Sequence, residues 1–132
     1  MQAMKENVLL DKSFAFALRT VKAYKYLVEE KKEFVLSKQF LRSGTSIGAN
    51  AEESSGGQST PDFLSKVSIA YKEARETKYW IKLFNAGDYL DDVQTKSLLA
   101  DIEELLKIIG KIQITTKLRM ANESLRNKAR NS

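Results

Sequence analysis

A single proline, Pro61, stands in 132 residues, and six glycines accompany it. Proline and glycine are the residues that stop helices, so a chain this poor in them has few places to end one. A mostly helical architecture is therefore expected before any periodicity is read. The length suits one domain around one hydrophobic core. With 42% hydrophobic and 30% charged residues, the composition is that of a globular chain. No apolar run of about 18 residues and no charged-then-apolar leader occurs. Neither a membrane span nor a secretion signal is expected, and the cytoplasm is the expected compartment.

The chain has no cysteine and no histidine. Disulfides, thiolate zinc sites, cysteine nucleophiles and histidine bases are thereby excluded. The di-iron chemistry of some four-helix bundles needs Glu-x-x-His motifs, which cannot be written without histidine. The expectation is a protein that is not an enzyme and carries no cofactor or metal.

Four segments show helical periodicity. In the first, residues 8–30, Leu10, Phe14, Leu18, Val21 and Val28 share one face, while Phe16, Ala23 and Leu27 share another. Two apolar faces imply two packing partners. The charged stretch EEKKE, Glu29 to Glu33, reads as a solvated connection. The second segment starts near Phe34 and presents Leu36, Phe40, Gly44, Ile47 and Ala51 as a seam of apolar or small residues. Paired glycines, Gly56 and Gly57, are expected to close it in the left-handed conformation. The third opens on STPD, with Thr60 as expected N-cap, Pro61 at the first helical position and Asp62 complementing the helix dipole. Phe63, Leu64, Val67, Ala70, Tyr71, Ala74, Ile81 and Phe84 form its apolar face, and Gly87 ends it. The fourth starts at the acidic turn Asp91-Asp92 and turns Leu98, Leu99, Ile102, Leu105, Leu106, Ile109 and Ile112 inward. With short links between them, these four make an antiparallel up-down-up-down four-helix bundle over residues 1–120. Residues 121–132 read as a basic, fraying tail.

The stretch LRSGTSIGANAEESSGG, Leu41 to Gly57, places Gly44 and Gly48 inside a helix, at about 1 kcal/mol each in helix propensity. Close approach of a neighbouring backbone is the expected compensation. A polar row runs beside the seam at helical spacing: Gln39, Arg42 with Ser43, Ser46, Asn50 and Glu53. An antiparallel third helix would bring Ser68 near Ser46 and Glu73 or Glu76 near Arg42. The row reads as a structural hydrogen-bonded seam rather than a catalytic site, because no nucleophile or recognisable base accompanies it.

SIGANAEESS followed by DFLSKVSIAYKEARETKYWIKLF resembles the 23S ribosomal RNA intervening-sequence proteins, over roughly residues 14–112. The family pattern falls on Gln39, Arg42, Ser43, Ser46, Ile47, Asn50 and Glu53, and later on Glu76, Thr77, Trp80 and Ile81. The sequence departs from it at Ala51, where isoleucine is usual, and at Ser54, where glycine is common. The resemblance implies a four-helix bundle that assembles as a homopentamer. It also implies kinship with the accessory variability determinant proteins of diversity-generating retroelements, which bind nucleic acid and a reverse transcriptase.

Lys111, Lys117, Arg119, Arg126, Lys128 and Arg130 face one acid, Glu123, after residue 110, so the whole net charge of +5 lies in that end. These six are the candidate contacts to RNA or DNA. The preceding 110 residues are neutral overall. The sequence thus points to an oligomeric adaptor that associates with nucleic acid with little sequence specificity, and with a nucleic-acid-processing protein as a further partner. The alternative is a structural homo-oligomer that recruits a protein. Tyr71, Tyr79, Trp80 and Phe84 are open to two readings, as a stacking platform for bases or as core and subunit interface, and the second is favoured. Ile69, Ile108 and Ile114 fall off the inward stripe and add to the expected interface. The loop GGQST, Gly56 to Thr60, lacks the lysine and spacing of a phosphate-binding loop and reads as a turn with a cap.

Overall fold

The computed structural model describes residues 2–131, with side chains from residue 7. Four helices account for nearly all of it: α1 (Gln2–Glu29), α2 (Leu36–Ser55), α3 (Thr60–Ala86) and α4 (Asp92–Asn131). Packing runs α1 to α2 to α3 to α4 and back to α1, with no diagonal pair in contact among the described residues. Every neighbour is antiparallel, as the cross-helix contacts show. Lys12 meets Glu104 while Arg19 meets Asp101. Arg42 meets Glu76 while Glu53 meets Lys66. Ser68 meets Gln113 while Lys78 meets Glu103. The fold is the expected up-down-up-down bundle.

The core is one cluster in which Phe16, Leu27, Phe40, Ile47, Val67, Ile81, Phe84, Ile102, Ile109 and Ile112 are fully buried. Interleaved with them are buried hydroxyls that bond a carbonyl of their own helix. Thr20 donates to Phe16 O, Ser54 to Ala51 O and Thr116 to Ile112 O. A hydroxyl satisfied this way carries little desolvation penalty into an apolar core.

With hydroxyls standing in for hydrocarbon, α1 buries one of its two expected apolar faces, that of Phe16 and Leu27, and leaves Phe14 and Leu18 of the other exposed. The buried stripe is Leu9, Ser13, Phe16, Thr20 and Leu27, whereas Phe14 is 70% exposed and Leu18 50% exposed. Gly44 serves this same junction. A Cβ there would lie 2.5 Å from Thr20 Cγ2 and 2.6 Å from its Oγ1, so α1 and α2 approach as closely as they do only because position 44 is bare.

Several helix ends differ from expectation by a residue. The N-cap of α3 is Ser59, whose Oγ accepts from Asp62 N at 3.2 Å, and Thr60 and Pro61 follow inside the helix. Gly56 and Gly57 take no left-handed turn; the positive φ angles belong to Lys32 and Asp88. At the end of α3 the amide of Tyr89 donates to Phe84 O at 2.8 Å and that of Asp88 to Asn85 O at 3.1 Å. That is the Schellman arrangement, with Asp88 in the place usually given to glycine. The Tyr89 ring packs edge-on against Phe84 at 6.3 Å, the hydrophobic contact that accompanies the motif. α4 begins with a reciprocal box: Gln94 N donates to Asp91 Oδ1 at 2.7 Å and Asp91 N to Gln94 Oε1 at 2.9 Å.

Two expectations fail for physical reasons. Glu33 is buried rather than solvated, because its carboxylate caps α2, accepting from Ser37 N at 2.7 Å and Val35 N at 3.3 Å. Burial works to raise its pKa, but the hydrogen bonds from the amides of Ser37, Leu36 and Val35 and from the Ser37 hydroxyl outweigh it and hold the carboxyl below its ordinary value. The expected frayed tail is helix: α4 runs 40 residues to Asn131 without a break at 120. At 1.5 Å per residue it is about 60 Å long, against about 40 Å for α3. Residues 121–131 are all exposed and continue the helix with no core of their own.

Candidate nucleic-acid interface

Six of the cations singled out in the sequence lie along the outer length of α4. Lys111, Lys117, Arg119, Arg126, Lys128 and Arg130 are all exposed, and none forms an ion pair among the described residues. Helical continuation arrays them on a rod rather than on a loose segment. Lys107 extends the band by one turn toward the bundle, also exposed and unpaired.

Lys111 and Lys107 border a groove of about 1000 Å³ between α3 and α4 that the sequence did not announce. Its floor includes Tyr71, Leu83, Leu106 and Gly110, and the Tyr71 ring lies 3.9 Å from where a Cβ on residue 110 would be. Its α3 rim contributes Arg75, Lys78 and Lys82. The one acid on the lining, Glu103, is paired with Lys78 at 2.5 Å. Overall neutrality of the first 110 residues therefore conceals a local positive surface, because no carboxylate other than Glu103 lines the groove. A signal was present in the sequence: Tyr71, Arg75, Lys78 with Tyr79, and Lys82 recur at the spacing of one helical face.

The aromatic group of α3 divides. Phe84 is buried in the core against Phe40, edge to face at 5.6 Å. Trp80 is half-buried and donates its indole N–H to Glu76 Oε2 at 3.2 Å. Tyr79 is 59% exposed at the groove, in a T-shaped contact with Trp80 at 5.2 Å.

The polar row of α2 proves to be several separate local arrangements. Arg42 bridges to α3, donating to Glu73 at 3.1 Å and to Glu76. Its side chain is 49% exposed, so this is a surface ion pair. Ser46 donates to Arg42 O at 2.6 Å and does not meet Ser68, whose hydroxyl accepts from Gln113. Asn50 donates to Ser46 O, within its own helix. Glu53 pairs with Lys66 on α3 at 2.8 Å, and Gln39 is exposed. The polar pair that is buried between α2 and α3 is Ser43 and Thr77: Thr77 donates to Ser43 Oγ at 2.9 Å and Ser43 to Phe40 O at 3.3 Å.

Among the described residues no helix is long and apolar enough to cross a membrane. No protein of curated function matches the chain. Among solved structures, the chain is similar to a protein of unknown function from the S23 ribosomal protein family of Bacteroides thetaiotaomicron VPI-5482, solved at 1.70 Å. The two are 50% identical and superpose with a TM-score of 0.82 over 83% of this chain and 97% of that one. The model of the 23S rRNA-intervening sequence proteins matches residues 5–111, a span that takes in most of α1, all of α2 and α3 and the first half of α4. That match covers most of the chain, and with it the protein belongs to the 23S rRNA-intervening sequence protein family.

Proposed function

We propose that the protein is a non-enzymatic, homo-oligomeric adaptor of the cytoplasm that associates with nucleic acid, RNA foremost, with low sequence specificity. The observation that carries this reading is the band of seven exposed, unpaired cations on α4 from Lys107 to Arg130, broken by the single acid Glu123 after residue 110. A helical rod carrying like charge around its circumference suits phosphates, which attract cations whatever the base. The assembly is taken as a pentamer on the family resemblance. An oligomer repeats the band once per subunit and multiplies weak contacts through effective concentration.

Truncation after Met120 tests this. It removes Arg126, Lys128, Arg130 and Glu123 and, among the described residues, no buried side chain. Labelled RNA titrated at several salt concentrations should bind the truncated chain more weakly. Three phosphate contacts per subunit give a log–log salt slope of about −2 by counterion release from a single strand, and that share of the slope should vanish. Equal affinity and slope for both chains would reject the extension as a binding element.

A second reading, a structural oligomer that recruits a protein, draws on the apolar outer surface: Phe14, Leu18, Ile114, Leu118 and Leu125 are each at least half exposed. Light scattering separates assembly from its absence, since a mass of 15.0 kDa at micromolar concentration rejects both oligomeric readings.

A further inference from the structure

The groove between α3 and α4 joins two tyrosines to unpaired charge of one sign. Arg75, Lys82, Lys107 and Lys111 form no ion pair among the described residues. The Tyr71 and Tyr79 hydroxyls likewise have no hydrogen-bond partner among the described residues, although Tyr71 is half-buried. A second copy seated by two-fold symmetry would bring its own cations against these. A polyanion would neutralise them.

We propose that this groove holds a single-stranded nucleic-acid segment, with bases against Tyr79 and Tyr71 and phosphates along Arg75, Lys82, Lys107 and Lys111. The proposal rests on the nucleic-acid reading above and deepens it by naming the strandedness and the element engaged. Strandedness follows from the aromatic rings, which gain from a base only when its face is free of its own stack. Tyr79 is placed for this: it is 59% exposed and lines the groove, with its ring T-shaped to that of Trp80 at 5.2 Å. From Tyr71 to Ala86 the α3 wall is about 22 Å long at 1.5 Å per residue, enough for several nucleotides. At its far end the groove reaches Ile114, beyond which Lys117, one turn further along the same face, continues the cationic path onto the α4 extension.

The test is fluorescence anisotropy of a labelled oligouridylate, with an RNA duplex as comparison, against the full-length protein and its variants. Tyr79→Ala should weaken oligouridylate binding about five-fold or more and leave duplex binding unchanged, while Tyr79→Phe retains the wild-type affinity. Lys82→Gln with Lys107→Gln should flatten the salt slope by about 1.4, two contacts at about 0.7 each. Circular dichroism on each variant establishes that the bundle is intact. If oligouridylate binds all groove variants as it binds wild type, yet loses affinity on truncation after Met120, the groove is overturned while the nucleic-acid reading survives. Failure of the intact protein to bind either probe overturns both. A fall in molar mass for Tyr79→Ala with unchanged affinity would make the groove a subunit contact and overturn the proposal.

Discussion

Gly44→Ala sets two effects of known sign against each other. In an exposed helix the change would stabilise by about 1 kcal/mol, since glycine is the poorer helix former by that amount. Here the new methyl would lie 2.5 Å from Thr20 Cγ2, 2.6 Å from Oγ1 and 3.1 Å from Cβ. Rotation of Thr20 about χ1 relieves this only in part, because with two γ atoms on Cβ at least one of them still faces position 44 in each staggered rotamer. Thr20 is also fully buried and held by its bond to Phe16 O at 2.9 Å. Overpacking of this kind costs about 1 to 3 kcal/mol, and with three contacts inside 3.2 Å the upper part of that range applies. The net expectation is a loss of about 1 to 2 kcal/mol, or several degrees in Tm for a chain of this size. Thr20→Ala removes both γ atoms and leaves only the 3.1 Å contact, which a small shift of α1 absorbs. In that background Gly44→Ala should be neutral or stabilising, giving a coupling energy of about 2 kcal/mol in a double-mutant cycle. Thermal unfolding followed by helical circular dichroism at fixed protein concentration measures all four corners. A Gly44→Ala variant more stable than wild type would refute the reasoning, since the helices would then approach less closely than described.

Two further outcomes are expected. Glu33→Gln removes a carboxylate whose pKa is lowered in the fold from 4.5, so its contribution is present above that value and fades as pH falls through the folded pKa. Stability curves of wild type and variant should therefore differ by about 1 kcal/mol near neutral pH and converge in acid; a gap independent of pH would show that the charge is irrelevant to the cap. Arg42→Ala should cost no more than about 1 kcal/mol in denaturant unfolding, because the guanidinium is 49% exposed and surface pairs contribute little; a loss several times larger would mean that the bridge is buried in the assembly.

Legibility in the sequence followed the physics that periodicity encodes. The scarcity of proline and glycine pointed to helices, and the order of apolar runs pointed to four of them. The α4 start was readable from Asp91, with Gln94 completing the box. α1 was misread because its inward stripe spends two of its places on Ser13 and Thr20, both buried, while Phe14 and Leu18 face out. A periodicity of polarity cannot see a hydroxyl that has paired with its own helix. Left-handed caps at Lys32 and Asp88 were invisible for a related reason: glycine is the expected residue there, and the non-glycine positions carry no composition signal. The groove was hidden by summation. Charges that cancel along the chain separate in space once α3 and α4 lie antiparallel, with Lys82 and Lys107 on one face and carboxylates such as Glu73 turned toward α2.

The α2 polar row and the groove, which read as unrelated in the sequence, are joined in the fold by a chain of contacts. Arg42 holds Glu76, Glu76 accepts the indole N–H of Trp80, and the Trp80 and Tyr79 rings meet in a T-shaped contact. Each link orients the next, because a carboxylate pinned by a guanidinium fixes where the indole donor points, and the indole plane fixes where a T-shaped neighbour stands. None of these links lies deep in the core, so their loss costs little folding free energy. Their effect is geometric: they set the angle at which an exposed ring meets the groove. Sequence features confined to α2 can thus bear on a surface formed by α3 and α4 without contacting anything bound there. The polar row need not be catalytic, or buried, to matter to what the molecule holds.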